Sequence, residues 1–80
     1  MARYNIKAFG ITKEILGEKE NLLEFDGDTV AHLRQYLFST YPRLTGLRSL
    51  FIAVNHNYAD DSLVLRETDE IALIPPVSGG

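Results

Sequence analysis

Gly79 and Gly80 are the residues of this sequence best placed for chemistry, and that chemistry belongs to backbone rather than side chain. They end the segment Ile74-Pro75-Pro76-Val77-Ser78-Gly79-Gly80. Two glycines make the thinnest backbone available, free to enter a channel too narrow for any side chain. The α-carboxylate that follows ordinarily has a pKa of about 3.3–3.7, so at neutral pH it is an anion and a poor acyl electrophile. Acyl chemistry at Gly80 therefore needs activation by another protein, for instance as an acyl-adenylate. Pro75 and Pro76 have no backbone donor and stop a preceding strand from extending. They also favour a polyproline conformation that carries the chain away from the body. A segment that does not pack is expected, with a reach of about 20 Å over its six residues.

Side chains offer less. His32 lies beside Arg34 and Gln35 in a helical pattern and reads as solvated; His56, between two asparagines, reads as part of a turn. A metal site needs several ligands converging, and the acidic run Asp60, Asp61, Glu67, Asp69, Glu70 lacks the alternating Asp/Asn-Gly spacing of a calcium loop. No serine sits in a nucleophile elbow. With no cysteine, there is no disulfide, no thiolate cage and no thiol nucleophile. The acidic run holds one base, Arg66. It is either a solvated edge or a docking patch that speeds association with a basic partner.

The elements that must position the tail follow from the pattern. Eighty residues, 45% of them apolar, make one small domain, in which folding hides only about 60% of the unfolded surface. Such a domain has a core but little room for a deep pocket of its own. Eight Lys and Arg against eleven Asp and Glu give a net charge of −3, which argues against a nucleic-acid surface. No run approaches the roughly 20 apolar residues of a membrane span, and the N-terminus lacks a signal peptide's apolar region. A cytoplasmic protein is expected.

Residues 2–9 alternate, with Tyr4, Ile6 and Ala8 opposite Arg3, Asn5 and Lys7, which predicts a strand with one wet face. Ile11, Ile15 and Leu16 predict a short helix, bracketed by Gly10 and Gly17, with those three residues on its inner face. Asn21–Phe25 reads as a strand, and Asp26-Gly27-Asp28 as a turn. Asp28 or Thr29 caps the main helix, whose buried stripe is Val30, Leu33 and Leu37 with Tyr36 on the flank. Neither Ala31 nor His32 is expected to complete a capping box. Pro42 ends that helix. Leu44, Leu47 and Leu50 follow as a connecting turn, then an apolar strand to Val54, a turn at Asn55-His56-Asn57 with Asn57 left-handed, and a last strand Ile71–Ile74. The fold class is α+β: a mixed four- to five-stranded sheet, its first and last strands candidates for the centre, with one main helix across one face. The domain spans 1–74 and the tail 75–80.

Taken together, these motifs are similar to a known family. Ala8-Phe9-Gly10 with Lys13-Glu14 and Leu16-Gly17, Thr29-Val30 with Leu33, Tyr41-Pro42, and Ala53-Val54-Asn55 are weak matches singly. Asp69-Glu70-Ile71-Ala72 followed by Pro75-Pro76-Val77-Ser78-Gly79-Gly80 is specific. The chain resembles the MoaD-type small subunit of molybdopterin synthase, a sulfur carrier of the ubiquitin-like β-grasp fold. The resemblance implies that an E1-like, MoeB-type enzyme uses ATP to adenylate Gly80 and that a sulfur donor protein converts it to a thiocarboxylate. The tail then enters a MoaE-type large subunit, where the sulfur attacks cyclic pyranopterin monophosphate. Gly79 and Gly80 would carry the reaction, and Ile74, Pro75, Pro76, Val77 and Ser78 would contact partners. The chain itself would bind no cofactor or metal and would not be catalytic alone. Two residues depart from the family pattern. Lys13 replaces an arginine and loses its planar fork, and Thr68 replaces a turn glycine, where a positive φ would strain it. A carrier for thiamine or tungsten-cofactor synthesis, a ubiquitin-like protein modifier, and a plain interaction domain are the alternatives.

Overall fold

The computed structural model describes residues 2–76. In chain order they form β1 (Ala2–Ala8), α1 (Ile11–Leu16), β2 (Glu20–Phe25), α2 (Val30–Thr40), a 3₁₀ segment (Pro42–Gly46), β3 (Phe51–Val54), β4 (Asn57–Tyr58) and β5 (Ile71–Ile74). The sheet order is β2-β1-β5-β3-β4. Only β1 and β5 run parallel, pairing Ile6 with Ile71 and Ala8 with Leu73; the other neighbours are antiparallel. The last strand is therefore the centre of the sheet, held by the first on one side and β3 on the other.

Alternation sorts the strands into two faces. Tyr4, Ile6, Ala8, Leu23, Phe25, Ile52, Val54, Ile71 and Leu73 are buried on the α2 side, where Val30, Leu33 and Leu37 complete the core. Leu44 and Leu65 close it at the margins. The rings of Tyr4 and Phe25 lie 5.1 Å apart, and Phe25 stacks on Tyr36 at 5.2 Å.

Three local details differ from the expectations above. In α1 the fully buried residue is Thr12, whereas Ile11, Ile15 and Leu16 are half-buried. The helix is six residues long, and its orientation is set at its first turn by hydrogen bonds to Phe9 rather than by an apolar stripe. At the start of α2 a capping box is present. Thr29 Oγ1 accepts the His32 N–H at 3.2 Å, and His32 Nδ1 accepts the Thr29 N–H at 3.3 Å. An imidazole nitrogen at that position is an acceptor that can bend back as a carboxylate does. It also accepts from Asp28 N–H at 3.2 Å. Gly27 makes room for the ring: it has φ +129, and a Cβ there would lie 2.5 Å from His32 Cγ. In the β3–β4 hairpin Val54 pairs with Asn57, leaving a two-residue loop. The positive φ values fall on Asn55 (+52) and His56 (+71), not on Asn57. A two-residue hairpin loop whose central residues are both left-handed is a type I′ turn, matched to the twist of the strands.

Thr68 is not strained. Asp69 N–H donates to Arg66 O at 2.9 Å across a turn whose central residues, Glu67 and Thr68, both have negative φ.

Candidate functional site

The open face of the sheet, away from α2, divides along its length. On the β2–β1 half the outward residues are Arg3, Asn5, Lys7, Glu20, Leu22 and Glu24, mostly charged, with Arg3 Nε 3.1 Å from Glu24 Oε2. On the β5–β3–β4 half they are Ala72 and Ile74, Phe51 and Ala53, and Tyr58. Phe51 is 50% and Tyr58 72% exposed, and their rings stack at 5.4 Å. Phe9, 40% exposed, extends this apolar half beyond the end of β1. Phe9, Ala53, Tyr58, Ala72 and Ile74 line a shallow groove of about 370 Å³.

Lys7, His56 and Glu70 line the same groove and supply its charge. Glu70 receives Lys7 Nζ at 3.7 Å and His56 Nε2 at 3.3 Å on its two oxygens. Its backbone is held in turn: Glu70 N–H donates to Asn55 Oδ1 at 3.0 Å, and Asn55 N–H donates to Glu70 O at 2.7 Å. An apolar centre with a polar rim is the anatomy of a protein-binding surface. Apolar side chains gathered this way on a small domain leave surface that a partner covers.

The predicted site residues meet this surface at one point. Ile74 ends β5 on the open face, paired with Phe51. Pro75 and Pro76 are half-buried, so these two residues pack on the body, contrary to the expectation that the segment would not. Val77, Ser78, Gly79 and Gly80 lie outside the described residues. Phe9, Phe51 and Tyr58 were not singled out by sequence reasoning. Their signal was available: Phe51 to Val54 is apolar throughout, as a strand must be when both its faces are to be covered.

The acidic run behaves as structure. Asp61 Oδ1 lies 3.3 Å from Arg34 Nε, Asp60 accepts from Ser62 Oγ, Glu67 accepts from Arg3 N–H, and Asp69 accepts from Arg66 N–H and Asn55 Nδ2. With Glu70 engaged as described, each of the five acids has an intramolecular partner, which favours the solvated edge over a basic partner's dock. His32 is a helix cap, and His56 a hairpin residue beside Glu70. Among the described residues no three His, Asp or Glu side chains gather to hold a metal ion. A wider groove of about 600 Å³ lies at the Val54 end of β3, away from the Ile74 end where the tail begins. Its Asp60 and Asp69 are occupied in the local bonds just given.

A five-stranded mixed sheet of this order, crossed on one face by one main helix, defines a ubiquitin-like β-grasp protein. Residues 6–80 match the ThiS family, and the chain belongs to it. It is 33% identical to the molybdopterin synthase sulfur carrier subunit of Caenorhabditis briggsae, over 84 residues that cover 100% of each chain. Among solved structures it is similar to small archaeal modifier protein 1 of Methanosarcina acetivorans, with TM-score 0.80, 28% identity, and 100% of this chain and 98% of that one covered. It is also similar to a chain in the complex of subunits 1 and 2 of the molybdopterin-converting factor of Helicobacter pylori, with TM-score 0.69, 26% identity, and 98% and 99% covered.

Proposed function

We propose that this chain is the sulfur carrier, the small subunit, of a molybdopterin synthase, and that Gly80 is the atom-carrying residue. The observation that carries the reading is the position of β5. The central strand runs along the apolar half of the open face, and from Ile74 the chain continues directly into the Pro75–Gly80 tail. A partner seated on that half-face sits where the tail begins. The relatives named as sulfur carrier subunits, matched end to end, support the same assignment.

In this reading an E1-like, MoeB-type enzyme joins the Gly80 carboxylate to AMP from ATP, releasing pyrophosphate. A sulfur donor protein then supplies sulfur at the sulfide level, whose bond to the Gly80 carbonyl carbon replaces the C–O bond to AMP; AMP leaves, and the terminus becomes a thiocarboxylate. The loaded tail enters a MoaE-type large subunit, which holds the catalytic side chains, and the sulfur is transferred to cyclic pyranopterin monophosphate. The chain needs no resident cofactor for this, because the reactive group is its own terminus. Among the described residues no helix is long and apolar enough to cross a membrane, and we place the carrier in the cytoplasm with those enzymes. Ile74, Pro75, Pro76, Val77 and Ser78 contact the partners, and Gly79 and Gly80 pass into the reaction channel.

Intact mass after incubation with ATP, the activating enzyme and a sulfur donor tests this. One oxygen of the chain is exchanged for sulfur, and deletion of Gly79 and Gly80 abolishes the exchange. An unmodified chain, under conditions that load an authentic carrier, overturns the reading. Rescue of a strain lacking the molybdopterin small subunit separates this pathway from thiamine or tungsten-cofactor synthesis. The similarity to small archaeal modifier protein 1 favours one second reading, a protein modifier. Recovery of Gly80 in isopeptide linkage to lysine from cell extracts would establish it.

A further inference from the structure

We infer that the corner between β1 and α1 is a seat for Pro75, and that Gly10 and Thr12 are thereby positioning residues for the C-terminal tail. The inference rests on the reading above in so far as the tail is the reactive segment. Gly10 has φ +55 and ψ −131, a conformation that a residue with a side chain reaches only under strain. A Cβ built on it would lie 3.4 Å from Cγ of Pro75. The proline ring therefore rests at van der Waals distance from the space a side chain would begin to fill, and anything longer than a methyl group there would displace it. Beside this contact, the Phe9 side chain lines the same groove as Ile74. The corner thus meets the last strand residue with Phe9 and the first tail residue with Gly10.

The corner is built to keep its shape. Thr12 is the one fully buried polar side chain among the described residues. Its hydroxyl donates to Phe9 O at 2.5 Å and accepts the Phe9 N–H at 2.9 Å. Thr12 N–H adds a third bond to Phe9 O at 3.1 Å, and the N–H groups of Lys13 and Glu14 both point to Gly10 O, at 3.1 and 3.4 Å. A helix of six residues has little stability of its own, and a buried hydroxyl costs free energy unless it is bonded. Both facts make sense if Thr12 serves to lock the Phe9-Gly10 backbone. Pro75 has its own φ fixed near −65° by its ring. Seating that ring sets the direction in which the next peptide leaves the sheet. The remaining five residues reach at most about 17 Å, so the direction set at Pro75 bounds the region that Gly80 can reach. The seat acts on delivery of the tail to a partner and leaves the chemistry to that partner.

The test uses the full chain and three variants, Pro75→Ala, Thr12→Val and Thr12→Ser. In the wild type a nuclear Overhauser cross-peak joins the Gly10 α-protons to the Pro75 ring; its absence overturns the seat. In Thr12→Val the cross-peak weakens or disappears while the β1–β5 amide spectrum is kept. In sulfur loading by the activating enzyme, KM for the chain rises roughly tenfold for Pro75→Ala and Thr12→Val while kcat stays within about twofold. Thr12→Ser, which keeps the hydroxyl, restores the wild-type KM. Because Pro75 also contacts the partner in the reading above, a raised KM in Pro75→Ala counts for the seat only together with a raised KM in a variant that leaves Pro75 in place. If Thr12→Val fails to fold, Gly10→Ser, whose side chain enters the space beside the Pro75 ring, takes its place. An unchanged KM in Pro75→Ala overturns the positioning role. A wild-type chain that is never loaded with sulfur removes the carrier reading and the delivery role with it, while the cross-peak still reports on the seat itself.

Discussion

Along β5, Ile71 and Leu73 face α2 and are fully buried, whereas Ala72 and Ile74 face the other way and are only half-covered. The same contrast runs through β3, where Ile52 and Val54 enter the core and Phe51 stays half-exposed. Each strand writes two apolar surfaces. One is completed inside the chain by Val30, Leu33 and Leu37 of α2; the other has no such cover among the described residues. The difference teaches what each surface is for. The closed face stabilises the fold, and the open half-face is the surface that we propose a partner covers.

Five substitutions press on that contrast. The largest effect belongs to the closed face: Leu33→Ala lowers unfolding free energy by about 2–5 kcal/mol, because Leu33 is wholly enclosed and leaves a cavity. Urea denaturation checks it. On the open face, Phe51→Ser or Tyr58→Ser changes stability by no more than about 1 kcal/mol. Either weakens binding to the proposed large subunit by about 2 kcal/mol, as loss of an aromatic anchor does. Calorimetric titration measures the second quantity, and a large loss of stability with intact binding would reverse the roles of the two faces. A smaller effect lies where α2 is aimed at the closed face. His32→Ala removes one arm of the capping box and costs about 0.5–1 kcal/mol, read as a lower thermal midpoint.

The smallest effect is a pH dependence of the closed face itself. Burial of Tyr4 raises its phenol pKa, and the negative charges of Asp28, Glu67 and Asp69 push it the same way. Since the folded state holds this proton more tightly than the unfolded chain, the stabilisation is fully present below the unfolded pKa of about 10. It is lost as pH rises from there through the folded value. Tyr4→Phe should flatten the fall in stability above about pH 10, seen by denaturant titration at a series of alkaline pH values.

Much of this was legible in the residues. The alternation at Tyr4, Ile6 and Ala8, the Val30-Leu33-Leu37 stripe, the stop at Pro42 and the last strand Ile71–Ile74 each rest on a local rule, and each stands in the structure. The misjudged details share a different cause. His32 as a cap, Asn55 and His56 as the left-handed pair, and Thr12 as the buried residue of α1 depend on geometry that spacing does not carry. These are a ring turned back on its own helix, a hairpin register, and a hydroxyl with two backbone partners. Phe9, Phe51 and Tyr58 escaped notice because each is unremarkable alone; only the sheet order brings them to one half of one face.

The sequence by itself determined the kinds of element, the side of each strand that seeks the core, and the composition of the Pro75–Gly80 segment on which the proposed function rests. Those are properties of neighbouring residues, set by sterics, hydrogen-bonding capacity and a period of two or of 3.6. Only the tertiary structure decided that Ile6 meets Ile71, that the open face splits into a charged and an apolar half, and that Pro75 comes to rest against Gly10. Such contacts join residues far apart in the chain, and they form where the burial of the whole core outweighs the entropy of closing the loops between them.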